Sequence, residues 1–136
     1  MGLGFSGIHH LTLRVRDLDR ARWFYGEVLG LEIDQDFPPE PDYPGKLRLR
    51  LPDGTRIVLV RPLPGTAADD RFSERRIGLD HVSLSMPGEL LEPLVERLRS
   101  HGIDTEGARH DELGPRLVSF RDPDNIAWEC FEDDQG

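Results

Sequence analysis

Two histidines and one glutamate define the chemistry open to this chain. His10 opens the alternating run Leu11-Thr12-Leu13-Arg14-Val15, and His81 opens Val82-Ser83-Leu84-Ser85-Met86. Successive side chains of a strand point to opposite faces, so each apolar set shares one face and each histidine lies on the other. The last alternating stretch sorts in the same way. Ile126, Trp128 and Cys130 form one set, and Ala127, Glu129 and Phe131 the other. The first set is the better core face, which leaves Glu129 on the polar face. Two imidazoles and one carboxylate are the donor set of an open divalent-metal site, with positions left for water or substrate.

A repeat positions these residues. Gly7-Ile8-His9-His10 returns as Gly78-Leu79-Asp80-His81, an offset of 71 residues. The hairpin turn signals Pro52-Asp53 and Pro123-Asp124 keep that offset. In the first copy, Asp17 is the expected N-cap of a helix whose apolar side is Leu18, Ala21, Tyr25, Val28 and Leu29, with Gly30 ending it. Strands are expected over 31–37, 46–51 and 56–60, with a proline-rich loop at 38–45. In the second copy, a helix is expected over 89–101, with Pro93 in its first turn and Gly102 after its end. Ile103 is expected to open a short strand, 108–114 to be a polar loop, and 117–120 and 126–131 to be strands. Each half therefore reads β-α-β-β-β. The expected fold is α+β: two tandem βαβββ modules whose mixed sheets curve around a metal-binding cleft. Module one covers about 7–61, 62–77 is a linker, and module two covers 78–132, all within one domain of 136 residues.

Composition excludes several classes. The formal net charge is −9 and no basic stripe stands out, which argues against nucleic acid. No apolar run is long enough to span a bilayer, and the first residues lack the pattern of a secretory signal. Cys130 is the only cysteine, so no intrachain disulfide forms. A cytoplasmic location fits these features.

The doubled strand, Asp17-Leu18, the run Trp23-Phe24-Tyr25-Gly26-Glu27-Val28-Leu29-Gly30-Leu31 and the run Asp122-Pro123-Asp124-Asn125-Ile126-Ala127-Trp128-Glu129 resemble the vicinal oxygen chelate superfamily. That superfamily includes glyoxalase I, extradiol dioxygenases, methylmalonyl-CoA epimerase, fosfomycin-resistance thiol transferases and bleomycin-binding proteins. The resemblance implies metal ligands on the first and last strand of each module. Here those positions are His10, His81, Glu129 and, at the repeat offset from Glu129, Val58. Glyoxalase I-like enzymes carry a carboxylate at the fourth position, and valine cannot ligate, so glyoxalase I activity is not expected. A site with His, His and Glu resembles those of the dioxygenases and thiol transferases. The resemblance implies a divalent ion (Fe, Mn, Zn, Ni or Co), a small oxygenated substrate that chelates it, and a homodimer, in some members with exchanged modules. The competing reading is a metal-free, drug-sequestering protein of the bleomycin-resistance type.

Thr12, Ser83 and Ser119 lie on the expected cleft face as substrate-contact candidates. Arg48 and Arg50 alternate against Leu47, Leu49 and Leu51, and either attract an anionic substrate or cover an exposed sheet face. His9, on the opposite parity from His10, reads as structural. His101 suits a helix C-terminus. His110 reads as a loop residue and Cys130 as core.

Overall fold

The computed structural model describes residues 2–133. Two compact units divide at Thr66/Ala67, inside the stretch expected to be a linker.

In the first unit, β1 (His10–Arg14), β2 (Glu32–Phe37), β3 (Lys46–Arg50) and β4 (Arg56–Val60) form one sheet in the order β1-β4-β3-β2. β1 runs parallel to β4, and the remaining pairs are antiparallel. Strict alternation decides the faces. Leu13, Leu47, Leu49, Ile57 and Leu59 are buried, whereas His10 and Thr12 are exposed. The helical segment begins as α1 (Leu18–Ala21), where the Asp17 carboxylate accepts hydrogen bonds from the backbone N–H groups of Asp19 and Arg20. Such a cap is worth about 1 kcal/mol. From Arg22 to Val28 the helix widens to π winding, with the Leu29 N–H bonded to the Phe24 carbonyl. Leu18, Ala21, Phe24, Tyr25 and Val28 are buried, whereas Leu29 is only half-buried. A strict 3.6-residue period puts Leu29 on the buried face; the wider turn brings Phe24 in instead. Gly30, at φ 72°, takes the left-handed conformation that ends the helix.

In the second unit, β5 (Val82–Met86), β6 (Arg109–His110), β7 (Arg116–Arg121) and β8 (Ala127–Glu132) repeat the arrangement in the order β5-β8-β7-β6. Here β5 is parallel to β8. A 3-10 turn (Gly88–Leu90) leads into α2 (Leu91–Ser100), with Pro93 in its first turn. Leu91, Val95 and Leu98 join Val118, Phe120, Trp128 and Cys130 in the core. Burying each large side chain contributes about 1.5–3 kcal/mol. Both sheets are thus mixed, and the architecture is the α+β tandem βαβββ fold.

Two local features differ from expectation. No strand opens at Ile103; the first strand after α2 is β6, inside the stretch 108–114 expected to be loop. The second unit begins before Gly78, because Phe72 and Glu74 are tied to the β7–β8 turn. The Phe72 N–H bonds the Asp124 carbonyl at 3.0 Å, the Asn125 side-chain amide donates to the Phe72 carbonyl at 3.0 Å, and Arg121 grips Glu74 through both terminal nitrogens at 2.7 and 3.1 Å. Beneath that turn the buried Asp122 accepts from the backbone N–H groups of Asp124 and Ile126. Among the described residues no helix is long and apolar enough to cross a membrane.

Two predictions follow from this packing. The Arg121 hydrogen bonds lower the pKa of Glu74 from 4.5 to about 2. A depressed folded-state pKa contributes stability above the unfolded value that is lost as pH falls through the folded one. The melting temperature of Glu74→Gln should therefore lie below wild type at pH 7, and the gap should close between about pH 4.5 and about pH 2. A gap constant across that window would show that the ion pair contributes nothing. Burial pushes the Cys130 thiol up to about 12. A thiol reagent at pH 8 should label it only after denaturation, as mass spectrometry would read directly.

Candidate functional site

The open face of the second sheet gathers a compact set of polar groups. Parallel pairing of β5 with β8 sets Ser83 beside Glu129, and antiparallel pairing of β7 with β8 sets Ser119 on its other side. His81 immediately precedes β5 with the parity of Ser83. Its Nε2 stands 3.7 Å from Glu129 Oε1. Two donors each about 2.1 Å from a shared metal, at roughly tetrahedral or octahedral angles, would lie about 3.0–3.5 Å apart, so a small side-chain adjustment closes the difference. The other ring nitrogen of His81, Nδ1, is 2.8 Å from Asp80 Oδ1. That hydrogen bond holds the His81 pKa above its usual value; burial opposes the rise, and the charge of Glu129 adds to it. A carboxylate accepts only, so Nδ1 carries a proton toward Asp80, and in the neutral ring the lone pair is on Nε2. A carboxylate on the outer nitrogen is the usual way a ligating imidazole is oriented.

The first sheet's open face carries the other expected residues in two cross-strand rows. His10 pairs with Arg56, which pairs with Arg50; Thr12 pairs with Val58, which pairs with Arg48. His10 Nδ1 is 2.8 Å from His9 Nδ1, so one ring donates and the other accepts. His9 was expected to turn away as a structural residue. It precedes β1, where the strand alternation does not bind it, and its ring instead meets His10 edge-on. His9 and Asp80 are equivalent under the repeat, so each unit braces its histidine at Nδ1 from the residue before it. Among the described residues, no group of three or more His, Cys, Asp and Glu side chains is gathered where it could hold a metal ion. The second unit by itself brings together two side chains of types that ligate divalent ions, His81 and Glu129.

A concavity of ≈ 600 Å³ lies over the second sheet and includes His81, Glu129, Ser119, Arg109 and Arg121 in its lining. Arg109 was not singled out in the sequence, because its strand is only two residues long. It donates to Ser119 Oγ at 3.3 Å. Asp80 was equally missed, although the repeat aligns it with His9. In the first unit, Arg48 donates from Nε to Asp34 Oδ2 at 3.0 Å, and Arg56 does the same at 3.3 Å. Arg56, rather than Arg50, therefore partners Arg48. His101 bonds the Arg97 carbonyl at the end of α2, and His110 bonds the Gly114 carbonyl.

Comparison with known proteins agrees with this architecture. The chain is 30% identical over 128 residues to the uncharacterized protein YwkD of Bacillus subtilis, covering 93% of this chain and 97% of that protein. It is 26% identical over 125 residues to the fosfomycin resistance protein FosX of Listeria innocua, covering 91% and 87%. A glyoxylase/bleomycin resistance protein/dioxygenase domain from Frankia superposes with a TM-score of 0.82 at 32% identity, covering 98% and 96%. A mutant FosX from Listeria monocytogenes, complexed with Mn(II) and 1S,2S-dihydroxypropylphosphonic acid, shares the fold with a TM-score of 0.70 at 21% identity, covering 93% of this chain and 90% of that chain. The profile of the Glyoxalase/Bleomycin resistance protein/Dioxygenase superfamily matches residues 7–130, and the chain belongs to that superfamily.

Proposed function

We propose that this chain is a metal-dependent enzyme that acts on a small substrate bearing adjacent oxygens. His10, His81 and Glu129 would hold the ion. The observation that carries the reading is the His81–Glu129 pair, with Asp80 fixing the imidazole so that Nε2 faces the carboxylate. When bound, the ion supplies a Lewis acid for oxygens that develop negative charge. The protein's own groups have separate tasks. Ser83 and Ser119 flank Glu129 and offer hydroxyls to substrate, as does Thr12 in the row below His10. Val58 leaves the repeat-equivalent of Glu129 without a donor, which keeps the site open and disfavours glyoxalase I chemistry.

Chemistry of the fosfomycin-resistance kind is favoured over dioxygenation by the 26% identity to a fosfomycin resistance protein, FosX, across most of both chains. The manganese and vicinal diol held by a FosX of the same fold support a divalent ion of the Mn, Fe, Zn, Ni or Co class and a chelating substrate. A cytoplasmic homodimer is the expected working form.

Metal analysis of protein purified without chelator tests this reading. Wild type should carry stoichiometric metal, and His10→Ala, His81→Ala and Glu129→Ala should each lose most of it. Full retention by the triple variant would sink the proposal. Asp80→Asn keeps all three donors but weakens the brace on His81, and metal affinity should fall by roughly 10–100-fold. An unchanged affinity would mean that Asp80 plays no part in holding the imidazole.

A further inference from the structure

The open face of the first sheet holds a second cluster that the metal reading leaves unused. At the edge of that sheet the β2–β3 register shifts between Ile33 and Gln35, leaving Asp34 unpaired in the ladder. A bulge of this kind re-aims a side chain. Here it sends the Asp34 carboxylate onto the face of Arg48 and Arg56, and both guanidiniums meet the single oxygen Oδ2. Burial works to raise the pKa of Asp34, but the hydrogen bonds and charges of Arg56 and Arg48 outweigh it and hold it below the usual carboxylate value.

Each arginine uses only its inner nitrogen, Nε, on Asp34. Neither makes another side-chain hydrogen bond among the described residues. A guanidinium has five N–H donors, so the terminal nitrogens of both remain available. Both side chains are about two-thirds or more covered, at 26% and 31% exposure. They are held in place while their outer donors are unspent. Charge points the same way. Two arginines share one carboxylate, which leaves a net positive charge between them. Arg50, which faces Arg56 across the β3–β4 ladder and Glu32 across the β2–β3 ladder, makes no ion pair of its own among the described residues. This concentration occurs in a chain whose formal net charge is −9.

We infer that Arg48 and Arg56, braced by Asp34, form an oxyanion clamp that binds an anionic group of the substrate, a carboxylate, phosphate or phosphonate. Arg56 is the direct cross-strand neighbour of His10, and Arg48 lies in the next row beside Val58 and Thr12. The bound group would thus lie on the same sheet face as His10. The inference rests on the proposed enzymatic reading only in taking that group to belong to the substrate; the clamp is a property of the first unit's own residues.

Inorganic phosphate is the probe, titrated calorimetrically into the full-length protein at constant ionic strength, with and without chelator. Wild type should bind it saturably in both conditions, because the arginines need no metal. Arg56→Gln and Arg48→Gln should each weaken binding by about tenfold or more, the loss of a charge-assisted pair. Asp34→Asn should tighten binding, since it removes the internal competitor while keeping both cations. A merely structural ion pair predicts a less stable Asp34→Asn protein with no gain in phosphate affinity, and that result would overturn the clamp. So would wild type without saturable binding, or arginine variants that melt like wild type and bind phosphate equally well. Should an arginine variant fail to fold, Asp34→Asn decides the matter. Phosphate binding that survives in His10→Ala, His81→Ala and Glu129→Ala separates the two ideas: metal can then fail while the clamp stands, or the reverse.

Discussion

The parallel ladder between the first and last strand of each module is the constraint on which everything else depends. Hairpins alone would place neighbouring strands side by side and leave the first strand at an arbitrary distance. The helical crossover instead returns the chain so that β5 lies against β8, and β1 against β4. This is what puts His81 next to Glu129, residues far apart in the chain. Register does the rest. A slip of one residue in β8 would turn Glu129 inward and Trp128 outward. Burial of Trp128, which is fully covered, therefore also fixes the direction of the carboxylate. The core and the site are specified by the same alternation.

The repeat makes the two modules alike in backbone and lets them differ in chemistry. Both brace the histidine at Nδ1 from the preceding residue, once with an imidazole and once with a carboxylate. The carboxylate is the stronger brace, because it also stabilises positive charge on the ring. At the last strand the difference is larger. Glu129 has a serine on each side, whereas Val58 has Thr12 and Arg48. A carboxylate in place of Val58 would stand beside Arg48 and compete with Asp34 for it. Valine avoids that competition, so the absence of a fourth donor and the presence of the arginine pair are parts of one local solution.

How far the sequence could be read depended on how regular the backbone is. Period-two alternation needs only an unbroken strand, and the orientations of His10, Thr12, Ser83, Ser119 and Glu129 were all legible on that basis. The repeat offset matched the hairpin turns, and Gly30 and Gly102 marked the helix ends. Reading stopped where the period changes. The bulge at Asp34 adds a residue to one strand, so no alternation count could have placed that carboxylate against Arg48 and Arg56. β6 is too short to show any period, which hid Arg109. The π winding after Ala21 exchanged Phe24 for Leu29 in the core. Asp80 is a different case: the signal was there, since it aligns with His9, but a residue just outside a strand has no face assigned by parity.

Net charge illustrates the same limit. A formal charge of −9 describes the chain as a whole and argues against polyanionic partners that need broad basic surfaces. It says nothing about a site of two or three residues. Electrostatic interactions between exposed groups fade over about 10 Å at ordinary salt, so distant carboxylates barely offset a local cation cluster. Arg48 and Arg56 are close enough to Asp34 to be held by it, and at 26% and 31% exposure they are partly shielded from screening. Their field is therefore set by the nearest carboxylate and by whatever occupies the face above them. An acidic chain can in this way carry a local pair of guanidiniums whose field the distant carboxylates do not cancel.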